Sequence, residues 1–171
     1  YSEPAYKWSS RREFASSRAQ APAPSGPWTV NLANVTYDNV SLSVSSQDDN
    51  ACDIAFNTDG TKMYMVGYAS DNVNQYTLST GFDLSTASYG SVSLNVSSQD
   101  ATPLNLTFNT DGTKMYMVGM ANDNVYQYSL STGFDLSTAS YDSVSFSVAS
   151  QDTIPSGIAF NPDGTKMYLV A

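Results

Sequence analysis

Aspartate and carboxamide side chains return along this chain at a fixed interval. Ser-Gln-Asp stands at residues 46–48, 98–100 and 150–152, and Asp71 is followed 52 residues later by Asp123. Carboxylate and amide oxygens are the hard ligands that calcium prefers. Asp48, Asp71, Asp100, Asp123 and Asp152, with Gln47, Asp49, Asn72, Gln99, Asn122 and Gln151 near them, are therefore candidates for a ring that holds a cation or a polyol. The same residue types also cap turns by accepting backbone N–H groups. Recurrence in every unit favours that structural role, since a specific site usually breaks the symmetry of its repeats. No calcium loop closing on a glutamate is present. Calcium is the one cofactor left open.

Other chemistry is narrower still. The chain has no histidine, which removes Ser-His-Asp and Cys-His catalysis and the commonest transition-metal ligand. Its one cysteine, Cys52, excludes an intramolecular disulfide and a cysteine-rich zinc site. Leu104 and Ser156 occupy the equivalent places, so Cys52 is expected to be a packed small side chain. Asp59, Asp111 and Asp163 each precede a lysine by three residues (Lys62, Lys114, Lys166). A carboxylate–lysine catalytic pair is conceivable there, but an Asp-Gly hairpin turn with a solvated ion pair is the simpler expectation. Tyr64, Tyr116 and Tyr168, with Tyr76, Tyr126 and Tyr128, form stripes at strand spacing. Such stripes suit packing between units or stacking against a sugar. Asn34, Asn39, Asn95 and Asn105 open Asn-x-Ser/Thr triplets, which chance produces readily in a chain rich in these residues.

The elements that would position these groups follow from an internal repeat. Residues 56–64, Phe-Asn-Thr-Asp-Gly-Thr-Lys-Met-Tyr, return unchanged at 108–116 and again at 160–168 with Pro162 in place of threonine. Residues 78–89 are identical to 130–141. Within one unit, Leu104, Leu106 and Phe108 alternate with polar residues as in a half-buried strand. An Asp-Gly turn at 109–113 leads to a second strand at 115–118. A polar turn at 121–124 leads to a third strand at 125–130, whose Val125, Gln127 and Ser129 face opposite to Tyr126, Tyr128 and Leu130. A longer connection, 131–140, precedes a fourth strand carrying Val144, Phe146 and Val148. The expected class is all-β: tandem four-stranded antiparallel blades of a β-propeller, about 2.75 units of 52 residues, preceded by an irregular N-terminal arm.

The motif Phe-Asn-Pro-Asp-Gly-Thr-Lys-Met-Tyr at 160–168 resembles that of YVTN-type propeller repeats, which occur in secreted, surface and phage structural proteins. The resemblance covers about residues 28–171 and implies a disc of seven or so blades around a channel. It rests on turn and core residues and is poor for function. In this frame residues 28–48 are the last strand of a unit, 49–100 and 101–152 are full units, and 153–171 begin a truncated one. So few blades do not close a ring. Either the chain continues past Ala171, or copies assemble.

Residues 1–27 share nothing with the repeat. Ser9 to Gln20 could form a short serine-capped helix, followed by a stiff Pro-rich linker at 21–27. This arm carries a charge of +2, whereas the rest holds three lysines against fourteen aspartates. Tyr6, Trp8, Arg11, Arg12, Phe14 and Arg18 are candidates for docking an acidic partner or a neighbouring copy. The acidic body would repel a phosphate backbone, so nucleic acid is not an expected partner. No apolar run approaches the roughly 18 residues of a membrane-spanning helix. The expectation is a non-enzymatic module, extracellular or on a virion surface, that binds protein or glycan or self-assembles. Two alternatives remain: a metal-assisted hydrolase of lactonase-like propeller type, and an intracellular protein-interaction scaffold.

Overall fold

The computed structural model describes residue 33, residues 35–170 and, as backbone only, two short strands before them. Those strands are β1 (Lys7–Ser9) and β2 (Glu13–Ser16); β3 is Val40–Ser43. One unit contains β4 (Ala51–Phe56), β5 (Lys62–Gly67), β6 (Asn72–Leu78) and β7 (Ala87–Asn95). The next contains β8 (Pro103–Phe108), β9 (Lys114–Gly119), β10 (Asn124–Leu130) and β11 (Ala139–Ser147). A final hairpin pairs β12 (Gly157–Phe160) with β13 (Met167–Val170). Both full units are four-stranded antiparallel sheets with strands in chain order. The architecture is all-β, and the first three strands of each full unit lie where residue alternation predicts them.

Alternation also decides what each face covers, because neighbouring residues of a strand point to opposite sides. From β5, Met63 and Met65 pack with Tyr76, Leu78 and Leu84 against Val40, Leu42 and Val44 of the β3 segment. Tyr64 and Val66, from the same strand, pack instead with Leu106, Met115, Met117, Tyr128, Leu130 and Leu136 of the next unit. The core is thus a set of layers between sheets. Each unit fills the layer on either side of it, and no sheet buries both faces alone.

The expected loop at 131–140 is shorter and more ordered than predicted. Its residues form a 3-10 turn, Leu136–Thr138, matched by Leu84–Thr86 one unit earlier. The fourth strands begin directly after, at Ala87 and Ala139. Serine 91 and serine 143 then adopt positive φ (59° and 58°) beside a bulge that shifts the register of the third strand. The cost of such a backbone for a residue other than glycine is about 1–3 kcal/mol. The bulge lets the first and second halves of the strand both pair with the same neighbour.

The arm departs from expectation. Glu13–Ser16 is a strand, not part of a helix, and the arm is not irregular over residues 7–9 and 13–16. Phe14 lies opposite Leu42 and Glu13 opposite Ser43. This is the register that Val73 and Asn72 keep with Leu94 and Asn95, residues 52 positions after Leu42 and Ser43. Trp8 opposite Phe14 likewise repeats Val66 opposite Val73. The physical reason is the edge of β3, whose unpaired N–H and C=O groups need partners. An isolated helix of a dozen residues offers little to compete with that.

Candidate functional site

The recurring polar residues meet where the last strand of one unit passes to the first strand of the next. Asp48 is 2% exposed and Asp100 is fully buried. One oxygen of Asp48 accepts N–H of Asn50 (2.7 Å) and Ala69 (3.3 Å); the other accepts the N–H (2.9 Å) and hydroxyl (2.7 Å) of Ser70. Asp100 does the same with Thr102 (2.8 Å), Ala121 (3.1 Å) and Asn122 (3.0 Å). Each aspartate therefore staples the inter-unit link to the turn between second and third strands. Glycine is required opposite it: a Cβ on Gly67 or Gly119 would stand 2.4 or 2.2 Å from the carboxylate carbon. Among the described residues, Asp152 keeps only the local bond, from Ile154 N–H at 2.7 Å.

Gln47 and Gln99 complete the marker. Their side-chain oxygens accept the hydroxyls of Tyr76 (2.9 Å) and Tyr128 (3.2 Å). Each tyrosine lies on the third strand of the following unit. The Ser-Gln-Asp triplet is thus a device for joining units. Sequence reasoning found the residues and missed this pairing, although Tyr76 and Tyr128 both stand 29 positions after their glutamines.

Asp71 and Asp123 sit in the same turns at positive φ (53° and 51°). Their carbonyls accept Val96 and Val148 N–H at 2.9 and 2.8 Å. One carboxylate oxygen of each is enclosed without a hydrogen-bond partner among the described residues. Burial pushes the Asp71 carboxyl above its ordinary range, helped by the charges of Asp48 and Asp100. Three of the five candidate carboxylates therefore share one field. Among the described residues, no group of three or more acidic, cysteine or histidine side chains is arranged to hold a metal ion.

The Asp-Gly turns correct a second expectation. Asp59 accepts the N–H (2.9 Å) and hydroxyl (2.6 Å) of Thr61, and Asp111 and Asp163 hold Thr113 and Thr165 in the same way. These bonds hold the three carboxyls below their usual range. The lysine three residues on does not pair with them. Lys62 donates instead to the carbonyl of Phe134 in the next unit (2.8 Å), and Lys114 reaches Asp142 and the Ser129 hydroxyl, both at 2.7 Å. Gly90 stands where the second unit has Asp142, so Lys62 has no such carboxylate beside it. Burial opposes the Asp142 charge, but hydrogen bonds from Lys114, Ser129 and Gln127 outweigh it, and the pKa falls to about 2.

Tyr64, Tyr76 and Tyr128 are at most 2% exposed and belong to the packed layers. Tyr168 is 54% exposed. Cys52 is half-buried, its thiol donating to the Asn50 carbonyl at 3.3 Å. Burial and the Asp48 charge push that thiol up to about 11, which suits a packing group rather than a nucleophile. Of the proposed docking arm, Tyr6, Arg11, Arg12 and Arg18 lie outside the described residues, and Trp8 and Phe14 are described only as members of β1 and β2.

One face is left open. Val144 and Phe146 of β11 are 50% and 59% exposed. With Tyr116, Gln127, Phe160 and Met167 they line an apolar groove of about 210 Å³. The equivalent residues one unit earlier, Val92 and Leu94, are half-buried against the following sheet.

No protein-family model matches the chain, and no curated protein does. Solved structures do. A provisionally named 6-phosphogluconolactonase from Bacteroides uniformis aligns over 77% of this chain with a TM-score of 0.58 at 13% identity. A protein of unknown function from Desulfotomaculum acetoxidans aligns over 94% (TM-score 0.59, 13% identity). A second provisionally named 6-phosphogluconolactonase, from Bacteroides fragilis, aligns over 72% (TM-score 0.53, 17% identity). The chain spans only 39%, 45% and 36% of those structures. At such identities the likeness is one of fold: antiparallel four-stranded sheets stacked in a propeller-like manner.

Proposed function

We propose that this chain is an assembly module of β-propeller type, which acts by stacking sheets and presenting their surfaces to protein or glycan partners. The observation that carries this reading is the use made of its recurring polar groups. Asp48 and Asp100 are spent on backbone N–H groups, Gln47 and Gln99 on tyrosines of the following unit, and Lys62 on the carbonyl of Phe134. Each joins one part of the array to the next. The open groove beside Phe146 offers apolar surface of the kind that proteins cover.

The similarity to provisionally named 6-phosphogluconolactonases supports a second reading, a lactone hydrolase, in which Asp71 and Asp123 would be the carboxylates to examine. One experiment separates the two. The purified chain is assayed for hydrolysis of 6-phosphogluconolactone with and without calcium, and its melting temperature is followed in a calcium titration. The assembly reading expects hydrolysis at the spontaneous rate and no calcium-dependent rise in melting temperature. Turnover abolished by Asp71→Asn or Asp123→Asn would replace it with the enzyme reading.

A further inference from the structure

The layer in front of the first full unit is not a copy of the layer behind it. Behind it, Val66 and Val73 of the first unit share one buried cluster with Tyr126 of the second, and Leu94 packs against that cluster. In front, Asn74 stands in the place of Tyr126. It pairs with Met65 as Tyr126 pairs with Met117. Met65 and the strand neighbours Tyr76 and Leu78 pack with Leu42 and Val44, so Asn74 belongs to the face turned toward β3. Asn74 is 2% exposed. Its oxygen accepts the Tyr89 hydroxyl at 3.3 Å, and its nitrogen has no hydrogen-bond partner among the described residues. A buried donor in that state opposes folding, and an asparagine fills less of the layer than a tyrosine does.

The arm offers the size that Asn74 lacks. Directly opposed residues of neighbouring strands stand on the same side of a sheet. Phe14 is opposite Leu42, and Trp8 is opposite Phe14; Leu42 packs against the first unit. Backbone register alone therefore puts positions 8 and 14 on the side of the sheet that meets Asn74. They are the positions that Val66 and Val73 hold in the first unit. In the later layer two valines meet a tyrosine; in the earlier one a tryptophan and a phenylalanine meet an asparagine. Large and small have changed sides, an exchange that keeps a layer filled. An aromatic face is also a weak acceptor for an amide N–H, which a valine is not.

We propose that Asn74 is the selectivity residue of a seat for the arm. This face of the first unit takes the aromatic residues Trp8 and Phe14 of its own chain and rejects another copy of the repeat, whose valine pair would leave the amide uncovered and the layer underfilled. The arm thereby closes the face to stacking by a second molecule. The inference goes beyond the assembly reading and bounds it, since it names one face through which copies do not join.

The test exchanges the two sizes in the whole chain: Phe14→Val, Asn74→Tyr, and both together. Amide exchange is followed at Val40–Ser43, with β9 as the internal reference. Either single variant is expected to quicken exchange at Val40–Ser43 roughly tenfold or more, the first by underfilling the layer and the second by overfilling it. The double variant, which rebuilds the combination of Val73 and Tyr126, is expected to return to within about threefold of the parent, with β9 unchanged. Parental exchange in Phe14→Val overturns the proposal. That variant alters nothing in the repeat units, so it decides the matter even where Asn74→Tyr fails to fold. A double variant in which the two single effects simply multiply also overturns it. So does protection of Val40–Ser43 that grows with protein concentration, which would seat a second copy on the edge of β3.

Discussion

At the scale of single residues, charge and burial make different demands on carboxylates that look alike in sequence. Asp100 has no exposed surface and three backbone N–H partners, and removing it strands those donors. Asp100→Ala is expected to destabilise the chain by roughly 3 kcal/mol or more, since hydrogen bonds to charged groups contribute about 1.5–3 kcal/mol each; chemical denaturation measures it. Asp53 is the opposite case. Burial raises its carboxyl above the ordinary 3.8, and bonds from Leu106, Ile54 and Asn105 offset this only in part. The folded state therefore binds that proton more tightly than the unfolded chain. The contribution of Asp53 to stability is greatest below its ordinary pKa and is lost as pH rises through the raised value. Asp53→Asn, the residue that Asn105 already supplies in the next unit, is expected to gain stability relative to the parent as pH rises above the ordinary carboxylate range, a gain kept at neutral pH. Asp142 behaves in the reverse sense: its pKa lies near 2, so its contribution is present above the ordinary carboxylate range and fades as pH falls toward 2. Melting curves of Asp142→Asn should fall below the parent at neutral pH and converge with it in acid. Residue types alone did not separate these roles. Gly90 against Asp142 was visible in the sequence, directly after the identical stretches 78–89 and 130–141, and it gives Lys114 a carboxylate partner that Lys62 lacks.

At the scale of elements, the hairpins and their turns were legible because they obey local rules. Alternation placed β8 to β10 nearly to the residue, and Asp-Gly marked the turns at Gly60, Gly112 and Gly164, which have φ near 70°. These three glycines look equivalent and are not. Phe82 and Phe134 cover the first two, while the third faces open space. Gly164→Ala is strained only by its backbone, a cost of order 1 kcal/mol. Gly112→Ala must also displace the packed Phe134 ring, and it is expected to cost about 1–3 kcal/mol more in denaturant unfolding. The Gly-Phe-Asp-Leu turn at residues 133–136 was not legible, because Phe134 at φ 59° contradicts its own propensity and is held there over Gly112, whose carbonyl accepts its N–H. The strands of the arm were hidden for another reason: residues 7–16 carry no repeat motif, and their pairing is dictated by the edge they meet. A proline cannot donate within a central strand. Ala15→Pro should therefore release β2 and speed amide exchange across Val40–Ser43 by at least tenfold, with β9 unchanged.

At the scale of the whole molecule, the account makes stability a property shared between sheets. Tyr64 and Val66 are buried by residues of the next unit, and Met63 and Met65 by the segment before it. A repeat seen once would have been read as a sheet with one exposed apolar face; seen in register, it is a layer that its neighbours complete. Sequence reasoning reached this arrangement through the 52-residue period. The polar bonds between units lay beyond it: Lys62 donates to the Phe134 carbonyl and Gln75 accepts Leu136 N–H, partners 72 and 61 residues away that no local pattern announces. The most direct measurement is native-state amide exchange of β5 after Met117→Ala, a change made entirely within the second unit. Emptying that buried position should cost about 2–5 kcal/mol. If the sheets share their layers, exchange at Tyr64 to Val66 quickens roughly thirtyfold or more, in step with β9. Faster exchange confined to β8 to β11, with β5 as slow as before, would show sheets that stand alone and would contradict the account.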